Sequence, residues 1–343
     1  MRLKIVVVFA TIAILSTPSA RAEIFLEPFA KVDNPIGLVW DGSRPIVSIR
    51  NETDQGISRL AVIERDGSVK SVFPHFVGGH EVYFAMSHGL AGFTKGYIYM
   101  VSFDAILEID PAVSRVRNFS IPYPFDPVIF LAFDTVGTWG NKLLATTEDG
   151  SVWKIDGLGR AERIIVLGQH TWFEGIAVAP LDYGKIGGYL VLSSKEQEKV
   201  IAISPEKPHK VIDVASFPGE QPEHVFFIPP AKDLLLAMNE EDQIVRISAE
   251  QLRPYSGSMF LITEGENNRT GSIYAITPSS DGFKVEKLFS KRNPHFEGYA
   301  FIAPRNDLSA LLASSLPYLV VGISVIVVIV AIIGSKRKFG RVG

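Results

Sequence analysis

The chain has 343 residues, a formal net charge of −3 and no cysteine. Because nucleic-acid binding needs a basic face, this balance argues against a nucleic-acid partner. Without cysteine, a disulfide framework and a thiolate metal site are both excluded. A chain of this length can bury a sizeable core without such staples.

The first 22 residues have the pattern of a secretory signal peptide. Residues 1–4 contain two basic side chains, residues 5–15 are apolar, and Ala20-Arg21-Ala22 has the small-x-small form of a cleavage site. The alternative is a first transmembrane helix, which the shortness of the apolar run disfavours. We therefore expect residues 1–22 to be removed and the following region, 23–307, to be exported.

Short strand-like segments recur in a fixed order between residues 23 and 307. One type ends in an isoleucine before a turn and recurs about every 46 residues over most of the region. These isoleucines are Ile63, Ile109, Ile155, Ile203, Ile247 and Ile276. A second type of segment, such as "PIVSIR" or "YLVLSS", precedes each isoleucine segment, and a looser type, such as "VKSVF", follows four of them.

A third and most apolar type precedes the second, with the texts "PIGLVWD", "EVYFAM", "VIFLAFD", "FEGIAVAP" and "PEHVFFIPP". Four strands at this period are typical of a β-propeller blade, and the most apolar strand suits the position nearest the central channel. The sequence therefore predicts an all-β, six-bladed β-propeller. Five or seven blades remain open as alternatives.

The sixth repeat is irregular. "MFLITE" at residues 259–264 is a segment of the second type, but no segment of the third, inner-strand type directly precedes it. The last such segment, "PEHVFFIPP", is followed by "LLLAMNE". "HFEGYAFIAP" at residues 295–304 follows the last outer strand and resembles "TWFEGIAVAP" at residues 171–180. We predict that residues 294–304 supply the missing inner strand and close the ring by pairing into a blade begun elsewhere.

The spacing of these strands, with phrases such as "AILEIDP", resembles the NHL-repeat and gluconolactonase (regucalcin)-like group of six-bladed propellers over about residues 30–304. In that group a Glu-Gly at the start of an inner strand supplies a metal-ligating carboxylate. Glu174-Gly175 and Glu297-Gly298 match that fragment, and the rest of the family pattern is not found. The resemblance implies a divalent cation and lactone hydrolysis.

Polar residues gather at the predicted starts of the inner strands. The candidates for a metal site are His80, Glu81, Glu174, Glu223, His224, His295 and Glu297. Inner strands begin at one mouth of the channel, so these side chains should converge there. Imidazole and carboxylate groups bind calcium or a transition metal, or act as acid and base on a ligand. The alternative is a polar mouth whose side chains bond one another and water.

Two further residues of the same region are candidate ligand contacts. Trp172 offers a flat face on which a sugar would stack, with His170 beside it, and the alternative for Trp172 is packing between blades. Three Asn-x-Ser/Thr sequons, at Asn51, Asn118 and Asn268, are candidate glycosylation sites.

Residues 316–334 contain no charge and, as a helix, are long enough to span a bilayer. A basic cluster follows in residues 336–341, and basic residues stay on the cytoplasmic side. The alternative is a buried core helix. The pattern predicts a single-pass type I cell-membrane protein with residues 23–307 extracellular or periplasmic. Residues 308–315 would be a juxtamembrane linker and residues 335–343 a cytoplasmic basic tail.

Two functions are consistent with this organisation. The first is a membrane-tethered binding module at the cell surface, whose partner is an extracytoplasmic protein, a glycan or a small molecule. The second is a metal-dependent, gluconolactonase-like hydrolase with its site at the channel mouth. The chain has no G-x-S-x-G, H-E-x-x-H or phosphate-loop motif, which favours the binding module.

Overall fold

The structure is a computed structural model that describes residues 24–51, 57–64, 67–73, 81–103, 105–111, 115–122, 127–168, 171–265 and 268–304. Among these residues, no helix is both long and apolar enough to cross a bilayer. The predicted signal peptide and everything after residue 304, including the apolar segment 316–334, lie outside the described residues.

Regular structure in the described residues is almost entirely β, as predicted. The first twelve strands are β1 (Glu27–Lys31), β2 (Pro35–Trp40), β3 (Pro45–Asn51), β4 (Ile57–Ile63), β5 (Val69–Phe73), β6 (Phe84–Met86), β7 (Ile98–Ser102), β8 (Ala105–Asp110), β9 (Arg115–Ser120), β10 (Val128–Phe133), β11 (Leu143–Thr147) and β12 (Ser151–Ile155).

The second half of the described chain continues in the same way. Its strands are β13 (Ala161–Val166), β14 (Phe173–Val178), β15 (Leu190–Ser194), β16 (Lys199–Ile203), β17 (Val211–Ser216), β18 (Gln221–Phe227), β19 (Asp233–Met238), β20 (Gln243–Ile247), β21 (Met259–Glu264), β22 (Thr270–Ser279), β23 (Gly282–Arg292) and β24 (Phe296–Ile302). One short α-helix, α1 (Ala249–Leu252), and 3₁₀ turns at Gly184–Ile186 and Arg253–Tyr255 complete the described elements.

The strands form six four-stranded antiparallel sheets, which confirms the six-bladed propeller. Four blades follow the chain directly: β2 to β5, β6 to β9, β10 to β13 and β14 to β17. The innermost strands β2, β6, β10, β14, β18 and β24 each contact the next, and β24 contacts β2, so the ring is closed. The second strand of a blade is buried on both faces, which explains its unbroken apolar text, as in β19 and β21.

In the fifth blade, whose order is β18-β21-β22-β23, a hairpin of the closing blade interrupts the sequence between the first two strands. The predicted strand order is wrong here. "PEHVFF" (β18) pairs with "MFLITE" (β21) rather than with the "LLLAM" strand (β19) that directly follows it. The β19–β20 hairpin belongs to the closing blade, whose order is β24-β19-β20-β1. Its inner strand comes from residues 296–302 and its outer strand from residues 27–31, so the late inner strand does close the ring.

Neighbouring blades are tied by hydroxyl groups on their second strands. The Oγ of Ser48 donates to the main-chain oxygen of Val82 at 2.7 Å, and the Oγ of Ser193 donates to that of Glu223 at 2.6 Å. Each bond runs from the second strand of one blade to the inner-strand region of the next. A buried hydroxyl keeps its hydrogen bond in this way, and the starts of the inner strands are held in fixed register.

Candidate functional site

Three of the inner strands carry a glutamate at a β-bulge near their start. Glu174 is the extra residue between the paired Phe173 and Gly175 of β14, and Glu223 occupies the same position in β18. The β19–β24 ladder is irregular at Glu297 as well. A bulge re-aims a side chain out of the regular alternation. Both copies of the Phe-Glu-Gly text therefore form a β-bulge that redirects a glutamate carboxylate at the start of an inner strand.

The carboxylates converge on the ammonium of Lys195, which directly follows β15. Its Nζ lies 3.2 Å from Oε2 of Glu174 and 3.4 Å from Oε2 of Glu223, and it also pairs with Glu264. All three glutamates are 1% exposed, so these contacts are shielded from solvent. Burial alone would lower the pKa of Lys195, but the three carboxylates raise it overall and keep the side chain charged.

A second cationic group bridges two of the glutamates. The Nε2 of His295 lies 2.8 Å from a carboxylate oxygen of Glu264 and 2.8 Å from one of Glu297. Burial opposes protonation of this imidazole, yet hydrogen bonds to both carboxylates raise the pKa of His295 to about 11. Burial likewise acts against ionisation of Glu264, but the His295 hydrogen bond and the charge of Lys195 lower its pKa to about 2.

Tyr83, which immediately precedes the inner strand β6, also joins this network. Its hydroxyl donates to a carboxylate oxygen of Glu297 and lies 3.3 Å from Oε1 of Glu223. Burial, and then the charges of Glu297 and Glu223, raise the pKa of Tyr83, so the phenol keeps the proton that it donates.

His224 follows the bulge of β18 and is fully buried. Its Nδ1 lies 2.9 Å from the main-chain oxygen of Glu174. A carbonyl oxygen only accepts, so Nδ1 carries the hydrogen and Nε2 keeps its lone pair. Among the described residues, Nε2 is buried without a hydrogen-bond partner. Burial lowers the pKa of His224, which keeps the imidazole neutral.

Glu223, His224 and Glu297 each offer one ligand atom, and these three atoms lie within 4.8 Å of one another. Two carboxylates and a neutral imidazole are donor groups that can hold a divalent cation. The orienting bond from Nδ1 to a main-chain carbonyl is also typical of a metal-ligating histidine. The residues present therefore fit a divalent cation.

Charge balance in the same network favours an additional cation or protons. Among the residues that the structure describes, four glutamates (Glu174, Glu223, Glu264 and Glu297) are joined to two cationic side chains. Burial, and then the charge of Glu174, raise the pKa of Glu223 well above its usual range. Repulsion of this kind is relieved either by protonation or by a bound metal ion.

The remaining sequence-predicted residues are two side chains at the mouth, two histidines outside the described residues and three sequon asparagines. Glu81 is half-buried before β6; burial, then the charges of Glu297 and Glu174, raise its pKa to about 8. The indole N–H of Trp172 donates to the Glu174 carboxylate, so this ring belongs to the mouth. His80 and His170 lie outside the described residues. Of the sequon residues, Asn118 on β9 and Asn268 are exposed, and Asn51 ends β3.

Lys195, Glu264 and Tyr83 were not among the predicted residues, although Lys195 and Glu264 had a usable signal. Glu264 ends the second strand of its blade, and Lys195 follows directly after another second strand. Because second and inner strands are antiparallel, the end of one lies beside the start of the other. Tyr83 had no comparable signal, since it reads as one more apolar residue of "EVYFAM".

Three rings pack against one another at the base of this mouth. The ring centres of Tyr83 and Phe130 are 5.0 Å apart, and His224 lies 5.4 Å from Tyr83 and 5.1 Å from Phe130. Beyond them an apolar cavity of about 530 Å³ is lined by all six inner strands. The channel thus has a charged end and an apolar end.

No protein-family model matches the chain, and no curated protein matches it. Among solved structures, the calcium-binding protein regucalcin from Agrobacterium tumefaciens is similar, with 11% identity, a TM-score of 0.52, and coverage of 82% of this chain and 83% of its own. A protein from Lactobacillus plantarum has 11% identity, a TM-score of 0.48, and coverage of 80% and 89%. A putative gluconolactonase has 12% identity, a TM-score of 0.43, and coverage of 80% and 97%. The likeness to regucalcin shows a shared fold.

Proposed function

We propose that this propeller binds a divalent cation at the charged end of its channel, through Glu223, His224 and Glu297. The observation that carries the proposal is His224, whose buried Nε2 has no hydrogen-bond partner among the described residues and whose ring offers a nitrogen within 4.8 Å of a carboxylate oxygen of each glutamate. A buried polar atom without a partner costs free energy, and coordination to a metal would remove that cost.

The donor set favours a transition metal over calcium. Calcium takes six to eight oxygen ligands, whereas imidazole suits zinc and other transition metals. Regucalcin of A. tumefaciens is described as a calcium-binding protein. For this chain we propose zinc or manganese instead, because an imidazole nitrogen is one of the three ligand atoms.

The test is thermal unfolding of the purified full-length protein after treatment with a chelator. Zinc or manganese should raise the midpoint more than calcium does; at a hundredfold excess over the dissociation constant the gain is about 2.7 kcal/mol. His224→Gln and Glu297→Gln should each abolish the shift. His209→Gln is the matched control, since His209 bonds the main chain at Ser204, away from the mouth. Equal midpoints with and without every metal would refute the proposal.

A second candidate, a gluconolactonase-like hydrolase, is favoured by the position of His295. Its Nε2 contacts Glu297, one of the three ligand residues, so an acid–base pair adjoins the cation position. When bound, a divalent cation would polarise an ester carbonyl as a Lewis acid. Hydrolysis of small lactones by the zinc- or manganese-loaded protein, lost in His295→Gln with metal affinity retained, would support this activity. No turnover of any lactone would leave cation binding alone as the function.

We further propose that residues 316–334 anchor the propeller to a membrane, with the propeller on the extracytoplasmic side, where it would meet a protein, a glycan or a small molecule. The absence of charge in this segment and the basic cluster after it support this orientation. Protease added to intact cells should digest the propeller and spare a tag placed after Gly343. A tag digested together with the propeller would refute the orientation.

A further inference from the structure

The apolar cavity begins directly below the layer of three rings. Phe130 lies on β10, His224 lies on β18, and Tyr83 immediately precedes β6; their three rings lie side by side. Because strand side chains alternate between two faces, the residue two positions further along each strand faces the same way. These residues are Ala85, Ala132 and Phe226, and all three line the cavity.

Small residues occupy this next level in two further blades. Gly175 and Gly298 follow the bulge glutamates of β14 and β24, and two positions on stand Ala177 and Ala300, which also line the cavity. Four of the six blades therefore place an alanine at one height of the channel, and these small side chains leave room for a cavity of about 530 Å³.

The cavity wall is apolar, and its polar groups lie at the open end. Below the alanines the wall is formed by large side chains such as Trp40, Phe133 and Phe301, which are only partly buried. His88 and Thr135 are exposed at the far ends of their blades' inner strands. The hydroxyl of Tyr83 is bonded to glutamates of the opposite mouth and so is not available to the cavity.

We propose that this cavity binds a single-chain amphiphile, with its hydrocarbon chain among the alanines and its polar end at the rim beside His88 and Thr135. Apolar cavities bind apolar ligands in preference to water; one of about 150 Å³ holds a benzene ring, so a cavity of this size would hold roughly twenty carbon atoms. Small-molecule pockets of this volume, apolar with few polar groups, are typical of ligand sites. The inference does not require the cation site, because none of its three ligand residues lines the cavity.

The test is photolabelling of the full-length protein with a palmitic acid that carries a diazirine near its terminal methyl group. We expect crosslinks on the inner strands, at residues 84–88, 128–136 and 298–302, and loss of these crosslinks when unlabelled palmitate is added in excess. Crosslinks that are spread over the blade surfaces, or that occur only in the apolar segment 316–334, would overturn the proposal. Competition by hexadecanol as well as by palmitate would show that the chain is recognised without the carboxylate.

Three variants make the test specific. Ala132→Leu and Ala177→Leu each fill part of the cavity from a different blade and should reduce inner-strand labelling about tenfold. Ala215→Leu is the matched control, because Ala215 lies on the outer strand β17 of the same blade as Ala177. Labelling that persists in a folded Ala132→Leu or Ala177→Leu protein would overturn the proposal. If one of them does not fold, as judged by circular dichroism, the other decides the result.

Discussion

The Nε2 atom of His295 lies 2.8 Å from Oε1 of Glu264, and the two residues belong to different blades. Glu264 ends β21 of the fifth blade, while His295 immediately precedes β24, the inner strand of the closing blade. Both side chains are buried. The pair therefore joins the closing blade to its neighbour by a charged hydrogen bond, at the same mouth as the proposed cation site.

Replacing His295 should destabilise the fold. His295→Gln removes a buried cation and leaves the carboxylates of Glu264 and Glu297 facing each other. Loss of one partner of a buried ion pair costs about 3 kcal/mol. Urea denaturation at pH 7 would measure the change in the free energy of unfolding, with His209→Gln as the control. A loss of less than about 1 kcal/mol would show that the pair contributes little.

The metal-free protein should become less stable as pH rises from about 4.5 to about 8. Burial and the charges of Glu297 and Glu174 raise the pKa of Glu81 to about 8, whereas the value for an exposed glutamate is 4.5. Between these two values the folded state holds a proton that the unfolded state releases, so folding is favoured at the lower pH and this contribution is lost as pH rises.

The measurement is the free energy of unfolding against pH in the presence of a chelator. Glu81→Gln should make the slope between about pH 4.5 and 8 less steep, because one of the groups with a raised pKa is gone while Glu223 and His295 remain. Glu240→Gln, which changes an exposed glutamate, should leave the slope as it is. A slope that is the same in Glu81→Gln as in the unaltered protein would contradict the prediction.

Much of the architecture could be predicted because it repeats. The six isoleucine segments favour six blades over five or seven, and the second "FEG" text identifies the strand that closes the ring. The assignment of the β19–β20 hairpin to the closing blade could not be predicted from sequence order, since "LLLAM" follows "PEHVFF" directly. Its one local sign is that no outer-strand text follows "QIVRISA": the outer strand of that blade is β1, more than two hundred residues earlier in the chain.

The mouth could be predicted only in part, for a similar reason. Glutamates at inner-strand starts form a series along the sequence, so Glu174, Glu223 and Glu297 stand out. Lys195 and Glu264 stand at the ends of second strands, so they come into view only when the antiparallel pairing of second and inner strands is considered together with the glutamate series. Whether a buried His224 is a ligand or a packing residue depends on the direction of one ring nitrogen, and that follows from the Glu174 carbonyl 50 residues away.

The glycine of the second Phe-Glu-Gly text should be intolerant of any side chain. A Cβ at Gly298 would lie 2.5 Å from the main-chain oxygen of Ile36 and 2.8 Å from the Cα of Gly37, so β24 and β2 would be forced apart. Gly298→Ala should therefore weaken ring closure and lower the unfolding midpoint by more than Gly219→Ala. Gly219 has a positive φ but open space around it, so Gly219→Ala measures the cost of backbone strain without a steric clash. Equal effects would contradict close packing of the two strands.

The closing strand should matter more than the outer strand of the same blade. β24 pairs with β19 on one side and contacts β2 of the next blade, whereas β1 pairs with β20 at the outer edge. Deleting residues 296–302 should open the ring and expose an apolar edge at β19, which would leave the protein aggregated. Deleting residues 27–31 should leave a soluble ring with a lower midpoint. Size-exclusion chromatography and thermal unfolding of the two deletion variants separate these outcomes, and a soluble, cooperatively folded protein that lacks residues 296–302 would show that ring closure does not depend on β24.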